Sequence, residues 1–265
     1  MSKQAHKRRR EGGRAGNASR RGSASIEQMP WHLPINSDAP TEPLNDDGIM
    51  AIHEGAMRIL EEIGVEFLNE KALTILKKAG CKINEQNVRM DRHFVMEMIA
   101  KAPPTFDITP RNVKRKITVG GPYILFGNVS SPPAYWDMEI NKKIPGSREM
   151  FTNFCKLSQY FNCIHFLGGY PVEPVDLHPS TRHLDAVFDK LILSDKVAHA
   201  YSLGKERVED VMEMVRIAGN LTHDEFEASP KMFTNINSTS PLKHDEPMLD
   251  GWMRLAEKNQ ALIVT

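Results

Sequence analysis

Along this chain the spacing of apolar residues changes period, and the changes mark the elements. Ile49, Ile52, Ala56, Ile59, Leu60 and Ile63 recur at intervals of three and four, which predicts a helix started by Asp46 or Asp47 and ended by Gly64. A shorter helix is predicted from an Asn69 cap through Leu73, Leu76 and Ala79 to Gly80. A third runs from an Asp91 cap through Phe94, Val95, Met98 and Ile99 until Pro103 and Pro104 stop it. Short strand-like runs fall at Cys81–Ile83, Val88–Met90, Thr105–Thr109, Lys116–Val119 and Tyr123–Phe126. Residues 45–146 thus read as a small α+β layer of their own.

After Gly146 the two periods alternate. A helix capped by Ser147 precedes a strand at Cys163–Leu167. A helix over Ser180–Leu193 follows, with Leu184, Val187, Phe188, Leu191 and Ile192 inward. Next come a strand at Val197–Ser202 and a helix over Lys205–Ala218, with Val208, Val211, Met212 and Val215 inward. Met232–Ile236 is a strand that runs into the polar loop Asn237–Ser240 and Pro241, and Asp245-Glu246-Pro247 then opens a helix to Lys258. Ala261–Val264 is a fourth strand. A repeat of roughly 30 residues is the βαβ period of a parallel sheet. In such sheets the loops after the strands carry the chemistry, which singles out Asn235 to Asp245.

Charge divides the chain differently. Residues 1–25 hold eight cationic side chains against Glu11, a net of +7, so the remainder of a formally neutral chain is acidic. That head has no apolar residue larger than alanine after Met1 and is expected to be disordered. Residues 26–44, with four prolines, extend it as an arm, giving a tail over 1–44. No apolar run approaches the ~20 residues of a membrane span. Three cysteines, Cys81, Cys155 and Cys163, match no metal or redox spacing and read as small core residues of a cytoplasmic protein. His178 and His183 stand five apart, which is no zinc pattern, and no metal site is expected. Neither a triad, a phosphate loop nor a dinucleotide fingerprint is present.

The segments IHEGAMRILEEIGVEF, ALTILKKAGCKIN, KAPPTFDITPRN and NINSTSPLKHDEPML, in this order, resemble the amino-terminal half of the trimethylamine methyltransferase family, and GGRAGNASRRG resembles the heads of its bacterial members. The resemblance implies a (β/α)8 TIM barrel behind an α+β extension. It also implies transfer of a methyl group from a methylated amine to the cobalt of a separate corrinoid protein. Residues 147–265 are then the first half of the barrel. Stopping at Thr265, the chain is expected to be a fragment with two open sheet edges, inactive alone, and a homo-oligomer when complete. The pyrrolysine of archaeal trimethylamine enzymes would belong to the other half, and family members lacking it use quaternary amines such as glycine betaine. No cofactor is bound directly, since the partner supplies the corrinoid.

A quaternary ammonium is best met by aromatic faces with carboxylates nearby. Tyr170, Tyr201 and the Tyr135-Trp136 pair beside Asp137 are aromatic candidates, each with packing as the ordinary alternative. Asp176, His178, Asn235, Asn237, Ser240 and His244 are polar candidates for substrate binding because they fall at or just after strand ends. The catalytic residues are left unassigned. Two readings of other classes compete: a catalytically inactive half-barrel that binds a partner, and nucleic-acid binding through the basic head, against which stands the acidic remainder.

Overall fold

The computed structural model describes residues 26–265 apart from Tyr201 and Ser202. The basic head and the candidate Tyr201 therefore lie outside the described residues. Helix α1 (Asp46–Arg58) is capped by Asn45 rather than by either aspartate: Asn45 Oδ1 accepts from Gly48 N at 2.9 Å, and Asp46 and Asp47 fill the first turn. The helix widens into a π turn over Ile59–Ile63 and ends at Gly64, whose φ of 85° a side chain would resist. Its expected inward face is largely outward. Met57 is buried, whereas Ile49, Ile52 and Ile63 are 51%, 63% and 56% exposed. Arg92, gripping Glu54 and Glu61 together, holds this helix to the layer by polar contacts instead.

Strand β1 (Val65–Phe67), helix α2 (Glu70–Lys78), strands β2 (Lys82–Asn84) and β3 (Asn87–Arg89) and helix α3 (Arg92–Ala100) follow close to expectation. Asn69 and Asp91 cap the two helices as the spacing predicts. Strand β4 (Thr105–Ile108) pairs with β5 (Ile117–Gly120) in an antiparallel hairpin. The strand expected at Tyr123–Phe126 is absent. Tyr123 makes a single bridge to Ile35, because Gly120 and Gly121 turn the chain out of the hairpin. An unexpected hairpin, β6 (Ala134–Asp137) with β7 (Lys142–Pro145), follows.

Helix α4 (Arg148–Tyr160), capped by Ser147, opens the parallel part. It continues as β8 (Phe166–Leu167), α5 (Arg182–Leu193), β9 (Val197–Ala200), α6 (Lys205–Ala218), α7 (His223–Glu227), β10 (Phe233–Ile236), β11 (Lys243–His244), α8 (Glu246–Glu257) and β12 (Ala261–Val264). Strands β8, β9, β10 and β12 form one all-parallel sheet in sequence order. The class is mixed α/β, and no sheet closes on itself among the described residues.

One face of this sheet meets the helices: Met232 packs with Val187, Val208, Val211, Met212 and Leu255. Helix α5 departs from its expected face. Leu184, Phe188 and Ile192 are exposed, and His183, Ala186, Val187, Asp189 and Lys190 are buried, because the polar members find partners inside. Asp189 takes a two-pronged bond from Arg148, and His183 bonds Asp210. Of the cysteines, Cys155 is buried, its thiol pushed up to about 12 by burial, Cys81 packs half-buried against the core of the α+β layer, and Cys163 is exposed.

On the opposite face the amino ends are covered by a hairpin. Phe166, Val197, Phe233 and Ala261, each the first residue of its strand, pack against Ile108 and Ile117 of the β4–β5 hairpin. Asn112 and Arg111 tie that hairpin's loop to Asp195 and Ser194, just before β9. The hairpin thus plugs the amino ends of the strands. One expected open edge is also filled. Residues 126–131 run beside β8: Phe126 O accepts from His165 N, Gly127 bridges Phe166, and Asn128 exchanges two bonds with the Gly168 backbone.

Candidate functional site at the carboxyl ends of the parallel strands

Side chains alternate along a strand, so Val197 and His199 share one face, as do Phe233 and Asn235. With the amino ends plugged, that face presents His199 and Asn235 at the carboxyl ends. His199 is 7% exposed and lies on Phe233, ring centroids 4.8 Å apart. Its Nδ1 accepts from Gly169 N at 2.6 Å. Burial, and then the charge of Lys190, lower its pKa to about 3 against a smaller upward push from Asn235. The ring is therefore neutral, and since Nδ1 is an acceptor, the proton sits on Nε2. Nε2 is buried and has no hydrogen-bond partner among the described residues.

Behind this ring stands Lys190 of α5, 2% exposed. Its Nζ donates to His199 O at 3.0 Å and lies 5.3 Å from the centre of the Tyr170 ring. Burial lowers its pKa to about 8. Neither residue figured among the sequence candidates. Lys190 follows Ala186 by four and Val187 by three, so helical period alone would have placed it inward. His199 two residues after Val197 would likewise share that residue's face.

The sequence candidates are distributed as follows. Asn235 lies beside His199, half-buried. Tyr170 is in the core beneath Lys190, edge-on to Phe151 at 5.8 Å. Asp176 and His178 are in the loop after β8 and serve helix starts: both Asp176 oxygens accept from Arg148 N, and His178 O accepts from Arg182 N. Asn237 Oδ1 accepts from Thr265 Oγ1 at 2.7 Å, joining the ends of β10 and β12. Ser240 is exposed in the turn that Thr239 and Lys243 close. His244 belongs elsewhere: β11 pairs with β1, and the imidazole lies between Phe67 and Trp252 in the α+β layer, at 5.2 and 5.7 Å. Tyr135 packs on Phe154, and Asp137 shapes the β6–β7 turn, accepting from Glu139 N. Asp245 caps α8 through Met248 N at 2.9 Å, as expected.

No group of three or more His, Cys, Asp or Glu is gathered to hold a metal ion among the described residues. No helix there is long and apolar enough to cross a membrane.

Similarity to known proteins bears on what such an end can do. The family model for trimethylamine methyltransferase matches residues 10–265. A glycine betaine methyltransferase of Desulfitobacterium hafniense (strain Y51) is 34% identical over 221 residues, 83% of this chain and 46% of that protein. The proline betaine:corrinoid methyltransferase of Eubacterium limosum is 26% identical, over 80% of this chain and 45% of that protein. The trimethylamine methyltransferase of Desulfitobacterium hafniense (strain DSM 10664 / DCB-2) is 25% identical, over 75% and 40%. The chain thus spans less than half the length of these curated relatives. The match along nearly its whole length means that the chain belongs to the trimethylamine methyltransferase family.

Proposed function

We propose that this chain is the amino-terminal part of a methyltransferase that moves a methyl group from a quaternary amine to the cobalt of a partner's corrinoid. The observation that carries the reading is the relationship to the glycine betaine enzyme, in a chain whose parallel strands have their amino ends plugged by the β4–β5 hairpin. Residues 45–146 serve as the extension and 147–265 as the first four β/α units of a (β/α)8 barrel, continued past β12. Ahead of the extension, Trp31 and Leu33 pack with Ile108 and Ile117. The corrinoid is the methyl acceptor and belongs to the partner, so no residue of this chain is asked to ligate cobalt.

On this reading the chain's share of the chemistry is to bind and orient the amine and to keep water from it. The loop after β10 is well suited to hold its shape. Ser238 N donates to Thr265 O at 2.6 Å, and Thr239 and Lys243 exchange backbone bonds at 2.7 and 3.0 Å. Asn235, Asn237 and Ser240 are thereby offered from a fixed backbone, which lowers the entropy cost of binding.

The test is a single-turnover assay. A full-length enzyme carrying this sequence is mixed with the reduced Co(I) corrinoid protein and a panel of methylated amines, and the Co(I) spectrum is followed. Conversion to methyl-Co(III) by a quaternary amine is the expected result. If no amine of the panel is demethylated, the reading fails.

A further inference from the structure

Two buried groups beside the carboxyl end of β9 ask for the same kind of partner. The His199 Nε2–H is a donor without an acceptor among the described residues, and leaving such a group unmade costs about 1–3 kcal/mol. Lys190 Nζ is a cation whose hydrogen bond goes to a neutral carbonyl, and it forms no ion pair among the described residues. Burying it without an opposite charge is costly in itself. Asp189, buried on the same helix, is by contrast paired with Arg148. The two deficits also sit side by side, since Lys190 bonds the carbonyl of His199 itself.

The ring's chemistry narrows what the site can take. With Nδ1 committed to Gly169 N–H, Nε2 is not a lone pair, so it can neither ligate a metal nor take up a substrate proton without breaking that bond. What remains is a fixed donor, backed by a positive charge in a medium of low dielectric, with the Asn235 carboxamide adjacent on the same face. A carboxylate matches all of these, and trimethylamine, with no acceptor oxygen, matches none. Resting on the methyl-transfer reading above, we propose that His199 Nε2–H, flanked by Asn235 and backed by Lys190, binds the carboxylate of a betaine-type substrate and so selects carboxylated quaternary amines.

The test uses a full-length enzyme carrying this sequence and compares two ligands by calorimetry, glycine betaine and tetramethylammonium, which has the cation without the carboxylate. His199→Phe keeps the ring on Phe233 and removes the donor. It should weaken glycine betaine by about 10- to 100-fold, as loss of a hydrogen bond to a charged group does, with tetramethylammonium held within about twofold. His199→Gln, which restores an N–H, should recover much of the loss. Equal weakening of both ligands would make His199 a structural residue and overturn the proposal, as would unchanged betaine binding. Should His199→Phe not fold, the wild-type Nε2–H resonance, read by nitrogen-correlated NMR, must shift with glycine betaine and stay put with tetramethylammonium. An unmoved resonance overturns the proposal. If wild type demethylates betaine while His199→Phe does so equally well, only this assignment falls. If wild type binds neither ligand, the methyl-transfer reading falls with it.

Discussion

Lys190 Nζ donates to the carbonyl oxygen of His199 at 3.0 Å, so a fully buried ammonium holds the carboxyl end of β9 by a neutral group. Burial lowers the lysine from 10.5 to about 8, a difference equivalent to roughly 3 kcal/mol spent on keeping the charge inside at neutral pH. Lys190→Met is therefore expected to stabilise the protein at pH 7 by about 2 kcal/mol after loss of the hydrogen bond is set against it. Above pH 8 the native lysine is neutral while the unfolded one still binds a proton, so wild-type stability rises towards pH 10.5. The advantage of Lys190→Met must shrink across that window. Urea melts of both proteins at pH 7, 9 and 10.5 check it, and a constant difference would mean that Lys190 stays charged.

His199 governs the acid side. Its folded pKa of about 3 lies below the unfolded 6.5, so between these values the unfolded chain binds a proton that the native chain refuses. The contribution is fully present above pH 6.5 and is lost as pH falls, at up to about 1.4 kcal/mol per pH unit. His199→Gln should flatten that limb of the stability profile between pH 6 and 4. Identical slopes in wild type and variant would contradict the buried neutral imidazole.

A methyl group at Gly168 would stand 2.6 Å from Asn128 O, a backbone atom that cannot swing aside. Gly168→Ala is expected to push residues 127–131 off the edge of β8 and to cost about 1–3 kcal/mol. Hydrogen exchange at Ser131 N, which donates to Tyr170 O at 2.6 Å, reports the separation directly. Unchanged protection there would show that the segment is not held by this contact.

In the loop after β10, capping and binding are separable. Asp245→Ala removes the acceptor for Met248 N and should cost about 0.5–2 kcal/mol while leaving methyl transfer by the folded fraction intact. Asn237→Ala and Ser240→Ala should do the reverse, slowing transfer several-fold with a melting temperature near wild type. Wild-type rates in both would remove this loop from the site.

Helix caps and the βαβ alternation were legible because they are local: Asn69, Asp91, Ser147 and Asp245 each bond a backbone N–H two or three residues on. Long-range partners decided the rest. The pairing of β11 with β1 places His244 in the α+β layer, and nothing within its own loop announces that. Apolar spacing misjudged α5, since Asp189 faces inward where Arg148, 41 residues away, receives it. For Lys190 and His199 the period gives the face but not the bonding partners. A lysine in a helix and a histidine in a strand look ordinary until Gly169 N–H fixes the imidazole tautomer.

In the proposed methyl transfer the amine is held at the carboxyl ends of β8, β9 and β10. A crystal structure of a full-length enzyme carrying this sequence, soaked with glycine betaine, tests that directly. The ligand is expected within hydrogen-bond reach of His199 Nε2 and beside Asn235. Betaine bound at the amino ends, against the β4–β5 hairpin, or within the α+β layer near His244, would contradict it.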